Sequence, residues 1–369
     1  MKAGDLLAID IFSGAGGLSE GLRLAGFRVC LAVESGVDPH STYAMNHPGT
    51  ETLQIPIQEI KSFESKLNLL GYKKKEIDLV AGGPPCQGFS IANTRTRGAK
   101  NGHSKLIRQF FRTVDEIRPY TFLMENVPGM DGLNEGRVIN RLISRFESIG
   151  YNVSKMRLTA SDYGVPQHRS RIFIVGCQGS KISEPEKSHG PNGRKGYVTV
   201  KKAIIGDLPP LRNKCGSREM EYIGPARNGY QRWIREGCSI LHDHKTTECG
   251  SDVKKRLRLI KQGRNLRSLM DEGKIPKELL IRIDHGGVYR RLELDQPSIT
   301  IVNFRKAMII HPVENRLLTI REAARLQSFQ DRYRFSGRIG AMQQVIGDSV
   351  PPLLAKALAG QIRTQLLLH

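Results

Sequence analysis

Short β-branched runs alternate with longer amphipathic stretches through the first half of the chain, the pattern of a parallel sheet covered by helices. Strands are expected at residues 6–12, 28–34, 78–81, 121–125, 152–158 and 171–177. Helices are expected at 106–117 and 138–149, where apolar residues recur every three or four positions. From about Gln178 the pattern weakens into clusters of Gly, Pro, Ser and Lys, densest at 188–196, and a polar, basic segment then runs to about Asp284. Such punctuation marks linkers around a smaller inserted domain. Periodicity returns at 319–328, and the last stretch, 352–367, carries a broad apolar face that must pack on a core, most simply the N-terminal sheet. The expected division is 1–177, 178–284 and 285–369, with the third segment returning to complete the first.

Charge sharpens this division. The 57 Lys and Arg against 36 Asp and Glu leave a net +21, and the excess grows from +1 over residues 1–100 to +6 over 101–200 and +14 over 201–369. An asymmetry of that size points to a nucleic-acid surface in the second half, with binding that weakens as salt rises. No apolar run approaches the roughly 20 residues of a membrane span. The opening MKAGDLLAIDIF, interrupted by Asp5 and Asp10, has neither the apolar run nor the cleavage site of a secretory leader. A cytoplasmic protein is expected, associated with the nucleoid in a prokaryote, with its cysteines reduced. Cys238-x3-His242-x-His244-x4-Cys249 matches no standard zinc spacing, so no metal is expected.

Five strand ends carry the candidate chemistry. Phe12-Ser13-Gly14-Ala15-Gly16-Gly17 leads from the first strand into a helix, and its glycines let a ligand approach the backbone. Glu34 closes the next strand, where a carboxylate can accept both hydroxyls of a ribose. The spacing is not the pyrophosphate-gripping G-x-G-x-x-G, which favours a nucleoside cofactor without pyrophosphate over nicotinamide. Gly82-Gly83-Pro84-Pro85-Cys86-Gln87 presents a cysteine in a turn after an apolar strand, whereas Cys30, in the middle of a strand, reads as an inert core thiol. Glu125-Asn126-Val127 sets a carboxyl at a strand end, where burial suits it to share a proton. In Gln167-His168-Arg169-Ser170-Arg171 an extended backbone would put Gln167, Arg169 and Arg171 on one face.

Together these residues resemble the DNA cytosine-5 methyltransferases. Phe12 to Gly17 is similar to that family's S-adenosylmethionine loop, Pro84-Pro85-Cys86-Gln87 to its nucleophile motif, Glu125-Asn126-Val127 to its acid motif and Gln167-x-Arg169-x-Arg171 to its arginine motif. Arg290-Arg291-Leu292, Pro297-Ser298-Ile299-Thr300, Arg321 to Gln327 and Gly347 to Pro352 match its later motifs, in the family's unpermuted order. The resemblance implies a Rossmann-like α/β methyltransferase sheet, with residues 178–284 as a smaller inserted target recognition domain. It implies Cys86, Glu125, Arg169 and Arg171 as catalytic residues. It implies Phe12, Gly14, Gly16, Gly17, Glu34, Ile57, Pro85, Asp348 and Val350 as the S-adenosylmethionine site, and residues 87–103 as a loop that closes over a flipped base.

The implied reaction is methyl transfer to carbon 5 of a cytosine in a short duplex DNA site, by a monomer acting alongside a cognate restriction endonuclease or alone. A transfer-RNA cytosine methyltransferase, a non-catalytic DNA-binding relative and a nucleotide-dependent oxidoreductase are the alternatives. The basic insert and the residues after Cys86 favour DNA, the four catalytic residues favour catalysis, and the missing phosphate fingerprint disfavours the oxidoreductase. Two positions depart from the family: Pro56 stands where an Asp commonly meets the adenine amine, and Asp348 where an Asn is usual. Weaker cofactor binding is expected from both.

Overall fold

Strand β1 (Leu6–Ile11) is buried from Leu7 to Ile11, as the central strand of a sheet covered on both faces requires. The computed structural model describes residues 6–85, 103–132, 136–212, 215–282 and 287–368. Beside β1 lie β2 (Phe27–Val33), then β3 (Glu51–Leu53), on one side, and β4 (Ile77–Gly82), then β5 (Thr121–Asn126), on the other, all parallel. Beyond β5 come β7 (Ser170–Cys177) and, at the edge, β6 (Asn152–Thr159), giving the order β3-β2-β1-β4-β5-β7-β6. The expected all-parallel sheet is corrected here, because β7 runs antiparallel to both neighbours. The physical reason is the connection from Thr159 to Ser170, which is too short for a parallel crossover of a dozen or more residues.

The chain steps outward from β1 to β3 and then restarts at β4 on the other side, so the order reverses between β1 and β4. Ligands of open α/β sheets bind outside the carboxyl ends of strands at such a point. Gly82 is required there, since a Cβ would come within 2.2 Å of the Ile11 carbonyl oxygen.

Helices α1 (Gly17–Leu24), α2 (Val37–Asn46), α3 (Phe63–Leu69), α4 (His103–Ile117) and α5 (Arg137–Glu147) accompany the sheet. Phe110 and Val114 of α4 and Leu142 and Phe146 of α5 join Ile9, Val80, Phe122 and Ile174 in one core. The last helix, α12 (Pro352–Leu367), packs on α1 so closely that a Cβ on Gly21 would lie 2.2 Å from that of Ala355.

The chain forms two compact units: Met1–Thr159, Ser170–Glu186 and Pro352–His369 make the first, Ala160–Arg169 and Lys187–Pro351 the second. These limits differ from 178 and 285. The second unit also takes the short segment between β6 and β7, and the return to the first unit begins at Pro352. The second unit contains α6 (Val200–Ile204), α7 (Gly229–Ile234), α8 (Ser251–Leu259), α9 (Leu266–Asp271), α10 (Ile320–Leu326), α11 (Ile339–Asp348) and the small ribbon β8 (Glu219–Met220) and β9 (Leu241–His242). Arg325 of α10 is fully buried and paired with Asp207 at 2.9 Å and Asp331 at 2.6 Å. Arg316 pairs with Glu322 at 2.7 Å beside the buried His311.

Among the described residues no helix is long and apolar enough to cross a membrane.

Candidate active site

The loop after β1 is held in a conformation that ordinary side chains avoid. Phe12, Gly14 and Gly16 all have positive φ, of 59°, 56° and 87°. For Phe12 this is strain retained by its surroundings: the ring packs against the sheet's core, and the next residue, Ser13, donates its N–H to the Val33 carbonyl. The Gly14 N–H then reaches Glu34 Oε2 at 2.9 Å, while the Gly36 N–H reaches Oε1 at 2.7 Å. Each carboxylate oxygen is thus aimed by one main-chain donor and keeps a further lone pair.

A Cβ on Gly14 would meet nothing within 4 Å, so open space lies beside the loop. A fixed carboxylate, a half-buried aromatic ring and an open glycine turn at one strand edge fit a nucleoside with a free ribose. Gly16 caps α1, and Gly17 is its first residue. Ile57 is buried in the core at the start of a 3₁₀ turn, and Pro56 before it offers no side-chain acceptor.

The second cluster follows from the antiparallel β5–β7 pair. Glu125 stands opposite Phe173, so Arg171, two residues earlier on β7, is its diagonal neighbour on the same face. Arg171 Nε donates to Glu125 Oε1 at 2.8 Å, with the side chains only 11% and 12% exposed. The other oxygen, Oε2, would lie 3.0 Å from a Cβ on Gly83, so glycine there leaves room for the carboxylate. Asn126, 3% exposed, donates from Nδ2 to the Pro84 carbonyl at 3.2 Å and accepts the Val127 N–H at 2.9 Å. That bond ties the end of β5 to the turn after β4, in which Pro85 is exposed. Cys86 and residues 87–102 lie outside the described residues, as does the expected closing loop they would form.

Behind the glycine loop is a group that the sequence reading passed over. Asp10 of β1 is fully buried; its Oδ2 accepts from Ser19 Oγ of α1 at 2.6 Å, and Ser19 Oγ lies 2.8 Å from the Tyr43 hydroxyl of α2. Burial, opposed by the Ser19 bond, pushes the carboxyl up to about 7. The available signal was an acid inside a strand whose two faces are both buried. Cys30 behaves as the sequence reading expects of a core thiol: it is buried against the Ala8 carbonyl, and burial raises it to about 11.

Gln167 and Arg169 belong to the second unit, and Arg171 to the first. The backbone turns at this point, with the Gln167 N–H bonded to the Val165 carbonyl and the Arg169 N–H to that of Gln167. Arg169 is fully buried and donates to the carbonyls of Ile301 at 2.7 Å and Gly347 at 2.8 Å. Gln167 donates to the Leu326 carbonyl and accepts from the Ile301 N–H. Asp348 is exposed at the end of α11, where it accepts from Gln344 Nε2, and Val350 is buried within the second unit. Both ring nitrogens of His244 have protein partners, the Pro209 carbonyl and the Thr319 hydroxyl.

The family model described as C-5 cytosine-specific DNA methylase matches residues 6–364. The chain is similar to the Type II methyltransferase M.AgeI of Thalassovita gelatinovora, with 32% identity over 96% of this chain and 98% of that one. It is similar to the Type II methyltransferase M1.HphI of Haemophilus parahaemolyticus, with 36% identity over 96% and 86%. Among solved structures, a prophage-encoded DNA modification methyltransferase of E. coli superimposes with a TM-score of 0.78 at 26% identity, over 99% of this chain and all of that one. The S. pombe Dnmt2 methyltransferase shares the fold, with a TM-score of 0.58 at 16% identity over 98% of this chain and 99% of that one.

Proposed function

The chain belongs to the C-5 cytosine-specific DNA methylase family, and from that premise we propose that it transfers a methyl group from S-adenosylmethionine to carbon 5 of a cytosine flipped out of a short duplex DNA site. The observation that carries the reading is the Glu125–Arg171 pair, set beside a Gly83–Pro85 turn that leads directly to Cys86.

Carbon 5 of cytosine is a weak nucleophile, so a covalent route is needed. The Cys86 thiolate adds to carbon 6, and the electron pair of the 5,6 double bond is pushed onto carbon 5. Glu125 hydrogen-bonds nitrogen 3 and the exocyclic amine, and Arg171 holds the carbonyl oxygen, so both meet charge as it develops. The bound cofactor supplies a methyl group activated by its sulfonium. After transfer, carbon 5 gives up its proton and the bond from carbon 6 to Cys86 breaks, restoring the thiolate. Arg169 acts by position, fixing the chain at Ile301 and Gly347. Gly83 and Asn126 fix the turn and the carboxylate against each other.

Glu34 would accept the ribose hydroxyls, Phe12 and Ile57 would hold the adenine, and Gly14, Gly16 and Gly17 would make room for the methionine part. Pro85 lies at the same strand edge of the first unit, and the resemblance assigns Asp348 and Val350 to the same cofactor. Flipping the base costs a few kcal/mol, offset by the contacts to the extruded cytosine. The second unit, whose sequence carries most of the basic excess, reads the duplex, and the Type II relatives favour a cognate restriction endonuclease as companion.

The test is methyl transfer from labelled S-adenosylmethionine to mixed-sequence duplex DNA and to transfer RNA, with Cys86→Ser as control and bisulfite mapping. Label at one short DNA motif, absent from the control, is expected. Label in RNA alone, or in neither, would overturn the proposal.

A further inference from the structure

Asp10 has no role in the mechanism above, yet it is the buried acid nearest in sequence to the glycine loop. Its carboxyl lies between the end of β1 and the first turn of α1, bonded through Ser19 to Tyr43, so one polar chain links α2 to β1 and α1, the two elements that flank the glycine loop in sequence. Oδ1 of the same carboxyl is buried and has no hydrogen-bond partner among the described residues. A buried carboxylate oxygen without a partner is costly, and either a proton or a nearby positive charge relieves it.

Among the described residues, no cation acts on this carboxyl to favour its ionised form. From β2, Glu34 adds a repulsive negative charge. From α1, the buried Glu20 is already paired with Arg23 at 2.9 Å. From α2 come Tyr43, a neutral phenol, and His47, whose ring lies 4.5 Å from that of Tyr43. On β4, Asp10 faces the uncharged Ala81. Burial accordingly holds the carboxyl near 7, so a proton fills the role at neutral pH and below.

S-adenosylmethionine carries a net positive charge, and its demethylated product, a thioether, carries none. We infer that Asp10 discriminates the cationic methyl donor from its neutral product, giving up its proton to solvent when the donor binds and keeping it when the product binds. The inference rests on the cofactor reading above. It follows that the donor binds more tightly as pH rises through the range in which Asp10 ionises, whereas the product does not, which favours exchange of product for donor. A tenfold rise in the acidity constant of Asp10 on donor binding corresponds to a tenfold gain in donor affinity.

Isothermal calorimetry on the full chain tests this, with S-adenosylmethionine and S-adenosylhomocysteine titrated between pH 6 and 8.5 in pairs of buffers of different ionisation enthalpy. Wild type is expected to release protons on binding the donor but not the product, and to bind the donor up to about tenfold more tightly at the upper pH. Asp10→Asn should bind both ligands with that difference abolished; titration of the ligand's own amino group is common to both proteins and cancels. Donor binding with no proton release, or the same release in Asp10→Asn, overturns the inference while leaving the cofactor reading intact. No binding of either ligand to wild type overturns the cofactor reading itself. Should Asp10→Asn fail to fold, Ser19→Ala serves instead: loss of its hydrogen bond to Oδ2 should move the onset of proton release to higher pH, and an unchanged onset would overturn the inference.

Discussion

Asp10→Asn also makes a prediction for stability that needs no ligand. The substitution keeps the shape of the side chain and its acceptor for Ser19 Oγ, and removes the charge. Burial raises the folded carboxyl from its ordinary 3.8 to about 7. Between those values the folded chain holds a proton that the unfolded chain has lost, so wild-type stability falls as pH rises through the window. At about 1.4 kcal/mol per tenfold change in acidity, burying the Asp10 carboxyl costs about 4 kcal/mol at pH 8 and between about 1 and 2 kcal/mol at pH 5, where it folds protonated, relative to a neutral isostere. The buried Asn amide adds a fixed cost of about 1–3 kcal/mol that displaces the curve without tilting it. The stability of Asp10→Asn relative to wild type should therefore rise by about 2–3 kcal/mol between pH 5 and pH 8. Urea unfolding followed by circular dichroism measures it, and the fluorescence of Trp233, the lone tryptophan and a residue of the second unit, provides an internal control. A difference that stays constant with pH would show that Asp10 is ionised throughout and refute the reasoning.

Gly83→Ala should press on Glu125 Oε2, since the new Cβ would stand 3.0 Å away; methyl transfer should slow by about tenfold with cofactor affinity unchanged, read from steady-state kinetics and calorimetry. Gly21→Val should wedge α1 from α12, where even a Cβ lies 2.2 Å from that of Ala355, and cost about 1–3 kcal/mol in urea unfolding. His311 is held down to about 4 by burial, so it is neutral when folded and stability should be lost as pH falls from about 6.5 towards 4. His311→Gln should flatten that part of the pH–stability curve. Pro56→Asp restores an acceptor at the start of the 3₁₀ turn and should tighten cofactor binding several-fold by calorimetry; unchanged or weaker binding would dissociate Pro56 from the adenine site.

Strands with both faces buried were legible because each holds an apolar run, and β1, β2, β4 and β5 lie within a residue or two of their expected places. The three-residue β3 was not, since two of its residues, Glu51 and Thr52, are polar and pairing with β2 alone makes it a strand. The direction of β7 depends on its connection rather than its composition, so a run of apolar residues says nothing of it. Glu34 and Glu125 could be read from their places at strand ends. The meeting of Glu125 with Arg171 needs the antiparallel register, which spacing does not carry. Asp10 was visible as an acid in an apolar strand but counted only as an interruption of a leader-like segment. Arg291, Arg321 and Arg325, which the resemblance identifies as parts of late motifs, are buried in the second unit and bonded to carbonyls or carboxylates, a role that basic composition alone would assign to a surface.

The covalent step at Cys86 is the centre of the account, and a duplex carrying 5-fluorocytosine at the methylated position isolates it. After methyl transfer, fluorine cannot leave carbon 5 as a proton does, so the enzyme should remain bonded to the DNA. Denaturing electrophoresis is expected to show a stable complex that requires S-adenosylmethionine, and peptide mass spectrometry should place the methylated fluorocytosine on Cys86. Methylation of ordinary duplex with no trapped complex, or a complex that persists in Cys86→Ser, would contradict the assignment.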